Sequence, residues 1–322
     1  MRAVTIRGHG GPEVLTLEEV EQPRPGPHDA VVEVTVSGVN FIDVYHRTGM
    51  YTAALPFIPG VEAVGVVREV GDQVTQVRVG DRVGWVKILG GYAERAVIPA
   101  ERLIPLSPWV KDEEAAAVLL QGITAHYLTH DTYRIKPGDT ALVHAAAGGL
   151  GMLLTQVIKL RGGRVIGTVS SPEKEKQARE AGADDVIRYT EVDFAAEVRR
   201  LTGGEGVAVV YDGVGRATFE GSLASLRRCG VLALYGQASG PVSAVSPSEL
   251  AQAGSVYLTR PRLSHHIATR AELLGRSTAV LNWVSSGQLQ VHIGGRYSLE
   301  QAAVAHQALQ GRHSVGKLLL YP

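Results

Sequence analysis

The segment Val143-His144-Ala145-Ala146-Ala147-Gly148-Gly149-Leu150-Gly151 gives the clearest indication of the fold of this 322-residue chain. It follows an apolar run typical of a strand and precedes Leu150–Arg161, which is typical of a helix. Its spacing matches a dinucleotide-binding fingerprint with Ala146, Gly148 and Gly151 in the three glycine positions. Small residues are needed there because a pyrophosphate must approach backbone N–H groups at the start of a helix. We therefore predict a nucleotide-binding turn, the alternative being a tight turn without a ligand.

The sequence around this turn alternates between short apolar strands and helical segments. Strands alternating with helices of about 10–15 residues indicate a parallel, doubly wound sheet. The predicted strands are Thr140–His144, Arg164–Val169, Asp185–Tyr189, Val207–Asp212 and Val231–Tyr235, and the predicted helices include Leu150–Arg161 and Pro172–Ala181.

The N-terminal third differs, because short valine-rich runs are separated there by glycine turns, as in a barrel or sandwich. The C-terminal tail adds helices and a last strand. We predict an α/β protein with a β-rich domain formed by residues 1–124 and 262–322 and a Rossmann domain over 125–261. The runs in question are Ala30–Val36, Val61–Val70, Asp81–Val86 and Tyr92–Ile98, and the tail comprises Ala271–Ser286, Leu299–Leu309 and Lys317–Leu320.

Composition excludes several classes of protein. The chain has 32 Lys+Arg and 32 Asp+Glu, a net charge of 32 − 32 = 0, which gives no support to nucleic-acid or membrane binding. The single cysteine, Cys229, excludes a disulfide framework and a zinc site built from several cysteines. We interpret it as structural, at a helix-to-strand turn before Gly230. No apolar run is long enough for a membrane span and the N-terminus lacks a signal-peptide core, so we expect a soluble cytoplasmic protein.

The residues after the second predicted strand indicate which dinucleotide binds. An NAD-binding domain presents an acidic residue about 20 residues after the glycine turn. This chain has Ser170, Ser171 and Lys174 in that region, with no acid at the strand end. Hydroxyls and a cation suit a 2′-phosphate, so we predict NADPH as the cofactor. The alternative is that Lys174 is an ordinary solvated helix residue.

Several motifs, in order along nearly the whole chain, resemble the medium-chain dehydrogenase/reductase superfamily. Some of them are similar to its zeta-crystallin branch, the NADPH:quinone reductases. The general motifs are Val39-Asn40-Phe41-Ile42-Asp43-Val44-Tyr45, Pro59-Gly60-Val61-Glu62-Ala63-Val64-Gly65 and the glycine turn, and those of the branch are Gln121–Ala125, Tyr211–Arg216 and Thr259-Arg260-Pro261.

The resemblance implies a GroES-like catalytic domain, a Rossmann NADPH-binding domain, a homodimer, and hydride transfer from nicotinamide to a quinone. Two alternatives stay open. One is an NADPH-dependent enoyl or alkenal double-bond reductase, and the other is a non-catalytic NADPH- or RNA-binding crystallin-like protein.

The sequence departs from the zinc-dependent alcohol dehydrogenases of this superfamily at the metal ligands. Those enzymes carry a Gly-His-Glu motif, whereas this chain has Gly60-Val61-Glu62, and their first cysteine ligand falls near Asn40. Valine has no lone pair for a metal. We therefore expect zinc-independent chemistry.

The resemblance also implies site residues. Asn40, Tyr45 and Thr124 are the predicted catalytic residues; the alternatives are a turn residue for Asn40, a half-buried aromatic for Tyr45, and a back-bond to the helix for Thr124. With the residues predicted above, the cofactor-binding set is Tyr51, Ala147, Gly148, Gly149, Leu150, Gly151, Ser170, Ser171, Lys174, Tyr189, Gly215, Gly236, Gln237, Ala238, Thr259, Arg260 and Lys317.

Overall fold

The structure, a computed structural model, describes residues 1–311 and 314–322. The chain divides into two compact units. Unit 1 contains Met1–Ile123, Ile267–Gly287 and Val291–Pro322, and unit 2 contains Thr124–His266 and Gln288–Gln290. Both ends of the chain therefore belong to unit 1.

The described residues form fifteen named strands and ten named α-helices. The strands are β1 Arg2–Thr5, β2 Thr16–Glu19, β3 Asp29–Val39, β4 Glu62–Val70, β5 Arg82–Val86, β6 Arg95–Pro99, β7 Ile104–Pro105, β8 Thr140–Val143, β9 Arg164–Val169, β10 Asp185–Arg188, β11 Val207–Asp212, β12 Leu226–Leu234, β13 Tyr257–Thr259, β14 Ile293–Ser298 and β15 Lys317–Tyr321. The helices are α1 Phe41–Arg47, α2 Asp112–Tyr127, α3 Gly149–Leu160, α4 Pro172–Glu180, α5 Phe194–Leu201, α6 Phe219–Ser225, α7 Pro247–Gln252, α8 Leu263–His266, α9 Arg270–Ser285 and α10 Ala302–Gln310. Across residues 1–311 and 314–322, no helix is both long enough and apolar enough to cross a membrane.

Unit 2 is an α/β domain built on a six-stranded sheet with the order β10-β9-β8-β11-β12-β13. All neighbouring strands in it are parallel. Every residue of β11 is buried, as expected for a central strand of a parallel sheet. The chain proceeds from β8 to β9 on one side and later returns to β11 on the other. Ligands of such sheets bind at the carboxyl ends of the strands where this order reverses.

Unit 1 is β-rich. Its larger sheet has the order β14-β15-β3-β4-β5-β7, with β6 also paired to β3, and β1 pairs with β2 separately. The long strand β3 pairs with β4 in antiparallel register, and Gly65 allows the close approach. A Cβ on Gly65 would lie 2.0 Å from the Glu33 carbonyl oxygen. The C-terminal strand β15 pairs with the end of β3, which brings Lys317 next to the segment around Asn40.

Two predicted strands begin at the wrong residue by several positions, and the ends of others differ by one to three residues. The strand predicted from Val231 begins at Leu226, and Cys229 lies inside it with φ 58°, not at a helix-to-strand turn. The strand predicted from Tyr92 begins at Arg95. Tyr92 instead exchanges single backbone hydrogen bonds with the loop at Pro59 and with Val4. At β12, the positive φ of Cys229 next to Gly230 hides the pairing from a simple apolar pattern.

Candidate active site

The glycine turn of unit 2 connects β8 to α3. Ala145 has φ 51°, and its carbonyl oxygen accepts a hydrogen bond of 2.8 Å from the Gly148 N–H. Gly148 is the N-cap of α3 and makes no side-chain hydrogen bond to the first turn. No side chain of the cap thus competes for the N–H groups at the start of α3, and this favours binding of an anion.

The two glycines that flank this helix start have different roles. A Cβ on Gly151 would lie 2.2 Å from the Ala145 carbonyl oxygen and 2.8 Å from the Ala146 Cα. Gly151 is therefore required for α3 to pack against the turn. A Cβ on Gly148 would approach only the Ala145 oxygen, at 3.2 Å. Gly148 instead leaves the backbone open where a ligand would approach.

The ends of β9 and β10 bring together the residues predicted to bind a 2′-phosphate. Ser171 caps α4, since its Oγ accepts a hydrogen bond of 3.4 Å from the Lys174 N–H. The Thr190 hydroxyl donates to the Ser170 carbonyl oxygen over 3.3 Å, and the Tyr189 N–H donates to the end of β9. Ser170, Ser171, Lys174 and Tyr189 thus lie at one edge of the sheet.

Of the two acidic residues next to Lys174, Glu173 and Glu175, the second is paired with two arginines. The Glu175 carboxylate contacts the guanidinium of Arg179 at 2.9 Å and that of Arg188 at 3.1 Å. These contacts offset the negative charge of Glu175, which would otherwise repel a phosphate.

Loops after β11 and β12 place four other predicted residues together. The Asp212 carboxylate accepts from the N–H groups of Val214 at 2.8 Å and Gly215 at 3.0 Å. Gly215 has φ 90°, and a Cβ on it would lie 2.8 Å from a neighbouring carbonyl oxygen. A Cβ on Gly236 would lie 2.4 Å from the Gly213 carbonyl oxygen. The two loops therefore pack backbone against backbone, and they carry Gly215, Gly236, Gln237 and Ala238.

A buried polar network beneath these loops escaped the sequence prediction. The Ser222 hydroxyl donates to Asp212 Oδ2 at 2.8 Å and lies 3.0 Å from His144 Nε2. His144 Nδ1 lies 2.9 Å from the Thr168 hydroxyl. Burial lowers the pKa of His144, against the opposing charge of Asp212. The network fixes the carboxylate that holds the Gly215 loop.

The remaining predicted residues of unit 2 are on separate elements. Thr124 is buried on α2, with 7% of its surface exposed. Thr259 ends β13, where it pairs with Ala233, and Arg260 follows it in an exposed position.

In unit 1, Asn40 lies within a buried polar cluster. Its Nδ2 donates to Glu62 Oε2 at 2.9 Å and to the Gly38 carbonyl oxygen at 3.2 Å. Its Oδ1 accepts from Lys317 Nζ at 2.7 Å and from Gln121 Nε2 at 3.4 Å. Each polar atom of the Asn40 amide thus makes two hydrogen bonds inside unit 1.

The backbone of Asn40 is fixed by a second buried carboxylate. Asp43 Oδ2 accepts from the Asn40 N–H at 2.9 Å and from the Tyr92 hydroxyl at 3.1 Å, and Asp43 Oδ1 accepts from the Val61 N–H at 3.2 Å. Burial raises the pKa of Asp43 to about 7 despite these hydrogen bonds and the positive charge of Lys317. Burial also raises the pKa of Tyr92.

The network continues from Tyr92 to His306 and Arg47. His306 Nε2 lies 3.1 Å from the Tyr92 oxygen, and Nδ1 lies 3.2 Å from Arg47 Nη1. A guanidinium only donates, so Nδ1 accepts and Nε2 carries the proton. Burial and the nearby Arg47 charge lower the pKa of His306 to about 3, which keeps the ring neutral.

Tyr45 and Tyr51 form an aromatic pair near Asn40 in sequence. Their ring centroids are 5.1 Å apart in an edge-on arrangement, and the Tyr51 N–H donates to the Tyr45 carbonyl oxygen at 3.0 Å. Tyr45 is on α1 and 8% exposed, whereas Tyr51 follows the helix and is half-buried. The structure therefore brings these two predicted residues together.

Lys317 contacts residues of unit 1 that the sequence prediction did not name as its partners. It was predicted to bind the cofactor, yet its side chain is 2% exposed and its ammonium is bonded to Glu62 and Asn40. Sequence reasoning also missed the partners of Asn40. One signal in the sequence could have revealed two of these partners. Asp43 and Glu62 are charged residues within the otherwise apolar motifs Val39–Tyr45 and Pro59–Gly65. The missed residues of unit 1 are Asp43, Glu62, Tyr92, Gln121 and His306.

Two family models match the chain. One, described as zinc-binding dehydrogenase, matches residues 149–273, and the other, the alcohol dehydrogenase GroES-like domain, matches residues 26–108.

Individual proteins match over the full length. The chain is 43% identical to a quinone oxidoreductase of Salmonella typhimurium over 323 aligned residues, 99% of each chain. It is 40% identical to a 2-haloacrylate reductase of Burkholderia, covering 99% of this chain and 98% of the relative. The crystal structure of Escherichia coli quinone oxidoreductase with NADPH superposes with a TM-score of 0.98, 40% identity and full coverage of both chains.

Proposed function

The chain belongs to the quinone oxidoreductase family of medium-chain dehydrogenases/reductases, and from this we propose that it reduces quinones with NADPH. The observation that carries the proposal is the pairing of an open helix start at Gly148 with Ser171 and Lys174 at the next strand end. The first suits a pyrophosphate and the second a 2′-phosphate. Bound NADPH would supply the hydride, and a solvent proton would complete the conversion of quinone to hydroquinone.

The proposal assigns the cofactor phosphates to backbone groups and to one cation. The N–H groups from Ala147 to Gly151 would face the pyrophosphate, except that of Gly148, which donates to the Ala145 carbonyl oxygen. The hydroxyls of Ser170 and Ser171, the Lys174 ammonium and the Tyr189 ring would surround the 2′-phosphate. Support comes from the hydrogen bond between Thr190, just after β10, and Ser170, and from the cap that Ser171 forms on the Lys174 N–H. A charged group bonded to a phosphate makes a stronger hydrogen bond than a neutral one.

The rest of the nucleotide would meet the loops at the carboxyl ends of the strands. We assign Thr124 to the nicotinamide carboxamide, because a buried hydroxyl suits an amide. Gly215, Gly236, Gln237 and Ala238 would line the strand ends, where the loops after β11 and β12 pack against each other. Tyr51, Thr259 and Arg260 would complete the contacts.

Asn40 and Tyr45 are the proposed hydrogen-bond donors to the substrate. The quinone oxygen gains negative charge as hydride arrives, and fixed donors stabilise that charge. The Asn40 Nδ2 hydrogen now bonded to the Gly38 carbonyl, at 3.2 Å, makes the longer of the two bonds. It is the one that a substrate oxygen would replace.

We propose that the reaction needs no zinc. The residues at the alcohol dehydrogenase ligand positions do not fit the metal, because Asn40 and Val61 offer no thiolate or imidazole. Glu62 is paired with Lys317. Among residues 1–311 and 314–322, no group of three or more His, Cys, Asp or Glu side chains could hold a metal ion. Elemental analysis of active protein tests this, since stoichiometric zinc that activity requires would contradict it.

Reduction of an activated double bond is the second candidate. The relative named 2-haloacrylate reductase, at 40% identity, favours it. Both reactions deliver hydride to an electrophile conjugated with a carbonyl, so the same donors would serve either substrate.

NADPH consumption with a panel of small quinones, an unsaturated ketone and 2-chloroacrylate separates the candidates. We expect the highest kcat/KM with a quinone. Turnover confined to the unsaturated substrates would reject quinone reduction in favour of the second candidate. Dissociation constants for NADPH and NADH test the cofactor assignment, and equal values would reject it.

We further propose a homodimer joined through β13. This strand is at one edge of the six-stranded sheet, and Tyr257 on it is 64% exposed, so its backbone can pair with a second copy. Light scattering gives the molecular mass of the parent and of Tyr257→Pro, in which β13 loses a backbone N–H. A Tyr257→Pro variant that is still dimeric would contradict the proposed interface. A cytoplasmic location is also expected, and cell fractionation tests it.

A further inference from the structure

Unit 1 contains an ion pair that is removed from water. Lys317 is 2% exposed at its side chain and Glu62 is 0% exposed, with 2.5 Å between Nζ and Oε2. Burial of two charges carries a desolvation cost that the attraction between them often does not repay. The pair therefore calls for a role other than stability.

The pair is bonded to both ends of one amide. Lys317 Nζ donates to Asn40 Oδ1 at 2.7 Å, and Glu62 Oε2 accepts from Asn40 Nδ2 at 2.9 Å. An ammonium can only donate and a carboxylate can only accept. The two charges thus permit a single orientation of the Asn40 amide, with Oδ1 toward Lys317 and Nδ2 toward Glu62.

The surrounding backbone is shaped to admit the pair. A Cβ on Gly38 would lie 2.3 Å from Glu62 Oε2 and 2.7 Å from Lys317 Cε. The other carboxylate oxygen of Glu62 accepts a hydrogen bond of 2.6 Å from the Leu120 N–H. Strands β3, β4 and β15 and helix α2 therefore all contribute to holding this amide.

We propose that Lys317 and Glu62 are positioning residues that fix the Asn40 side chain in the orientation used for reduction. The proposal rests on the function assigned above to Asn40. The fixed orientation directs one Nδ2 hydrogen away from Glu62 and toward the Gly38 carbonyl oxygen, which a substrate oxygen would replace as acceptor. Without the charges, only the Gly38 carbonyl oxygen and Gln121 Nε2 favour this orientation, through the two longer hydrogen bonds of the amide. Molecules in which the amide is reversed present an acceptor where a donor is needed.

The test is the double variant K317M/E62Q, which removes both charges while the amide oxygen introduced by E62Q retains an acceptor for the Leu120 N–H. We expect the midpoint of thermal unfolding to stay within a few degrees of the parent and the Kd for NADPH to change less than twofold. We expect kcat with a quinone to fall at least tenfold, equivalent to about 1.4 kcal/mol. The matched control, R82M/D112N, removes another ion pair of unit 1 and should retain the parent kcat.

A spectroscopic measurement reads the amide directly. In protein labelled with 15N-asparagine, the Asn40 side chain, assigned by its loss in Asn40→Ala, should give two sharp, well-separated hydrogen signals. In K317M/E62Q these signals should broaden or move together. K317R keeps a positive charge beside Glu62. Its Asn40 signals should therefore be sharper, and its kcat higher, than those of K317M/E62Q.

The outcomes separate this inference from the proposed function. Parent-like kcat and sharp Asn40 signals in K317M/E62Q would overturn the inference, even where Asn40→Ala is inactive. Parent-like turnover by Asn40→Ala would overturn it by removing the role it depends on. A parent protein that reduces no quinone would reject the proposed function, and the Asn40 signals would still test the positioning.

Discussion

The glycine turn of unit 2 and the Asn40 cluster of unit 1 are built from contacts of very different range. The turn is closed by Gly148 and Gly151 against Ala145, three and six residues away, with no charged side chain in these contacts. Asn40 is held by Glu62, Gln121 and Lys317, which are 22, 81 and 277 residues away.

This difference predicts how each region fails when it is changed. The turn depends on the absence of side chains, so adding one methyl group disturbs it. The cluster depends on balanced charges in a site without water, so removing one partner leaves the other unpaired. Loss of a buried partner should therefore have the larger effect on stability.

Lys317→Met should have the largest effect on stability. It leaves the Glu62 carboxylate buried without its cation, which costs about 3–5 kcal/mol in comparable sites. The tryptophans Trp85, Trp109 and Trp283 all belong to unit 1, so their fluorescence in urea reports its unfolding.

The control for this variant is Arg296→Met, which breaks an ion pair with Glu113 in the same unit. Both partners are substantially exposed, at 54% and 36%. Exposed pairs contribute about 0–1 kcal/mol, and we expect a loss in that range. Equal losses in the two variants would show that burial is not what distinguishes the pairs.

Gly151→Ala should weaken NADPH binding strongly. The new Cβ would lie 2.2 Å from the Ala145 oxygen, so α3 and the turn that would face the pyrophosphate must move apart. Titration of NADPH fluorescence measures the Kd. Gly148→Ala is the graded comparison, because its Cβ would be 3.2 Å from the nearest atom, and we expect a loss of only a few-fold.

Lys174→Gln should raise the Kd for NADPH about tenfold, since it removes one charge-assisted hydrogen bond to the 2′-phosphate. The Kd for NADH should be unchanged. Lys176→Gln is the control on the same helix, where Lys176 lies 3.9 Å from Glu180. A parallel loss of NADH affinity in Lys174→Gln would contradict the assignment.

Asp43 and His306 should give opposite pH dependences of stability. The folded pKa of Asp43, about 7, exceeds its ordinary value of 3.8, so the folded state retains a proton that the unfolded state loses. Stability therefore falls as pH rises from about 4 to 7. The folded pKa of His306, about 3, is below its ordinary 6.5, so stability rises with pH from about 3 to 6.5.

Single variants should reveal each slope, because the two contributions cancel between about pH 4 and 6.5. Relative to the parent, Asp43→Asn should become more stable as pH rises in this range, and His306→Gln less stable. Each slope should approach about 1.4 kcal/mol per pH unit. Urea midpoints from tryptophan fluorescence measure it, and parallel curves for both variants would refute the pKa directions.

The pattern of apolar residues correctly predicted strands of unit 2 in which the backbone is regular. Strands β9 and β11 have the bounds expected from their apolar runs. The start of β12 was missed because Cys229 adopts a positive φ next to Gly230 inside the strand. A positive φ inside a strand depends on the neighbouring strands, so the pattern of apolar residues does not reveal it.

The candidate site divides in the same way. Gly148, Ser171 and Lys174 were predicted from their positions just after two strands. Their contacts in the structure are with residues close to them in sequence. Lys317 was expected at the cofactor from the resemblance alone, the alternative being a solvated lysine of the terminal strand. Its ammonium is instead enclosed with Glu62, a contact that depends on the pairing of β15 with β3.

By itself, the sequence determined the alternation of strands and helices, the glycine turn, and the presence of two serines and a lysine in place of an acid after β9. These features depend on side-chain size and on the periodicity of apolar residues within about 20 residues, so they can be recognised from the sequence alone. Only the tertiary structure decided which charges surround Asn40 and which pKa values they shift. Burial and Coulomb energy depend on distance in space, and folding brings Lys317 within 2.7 Å of a residue 277 positions away.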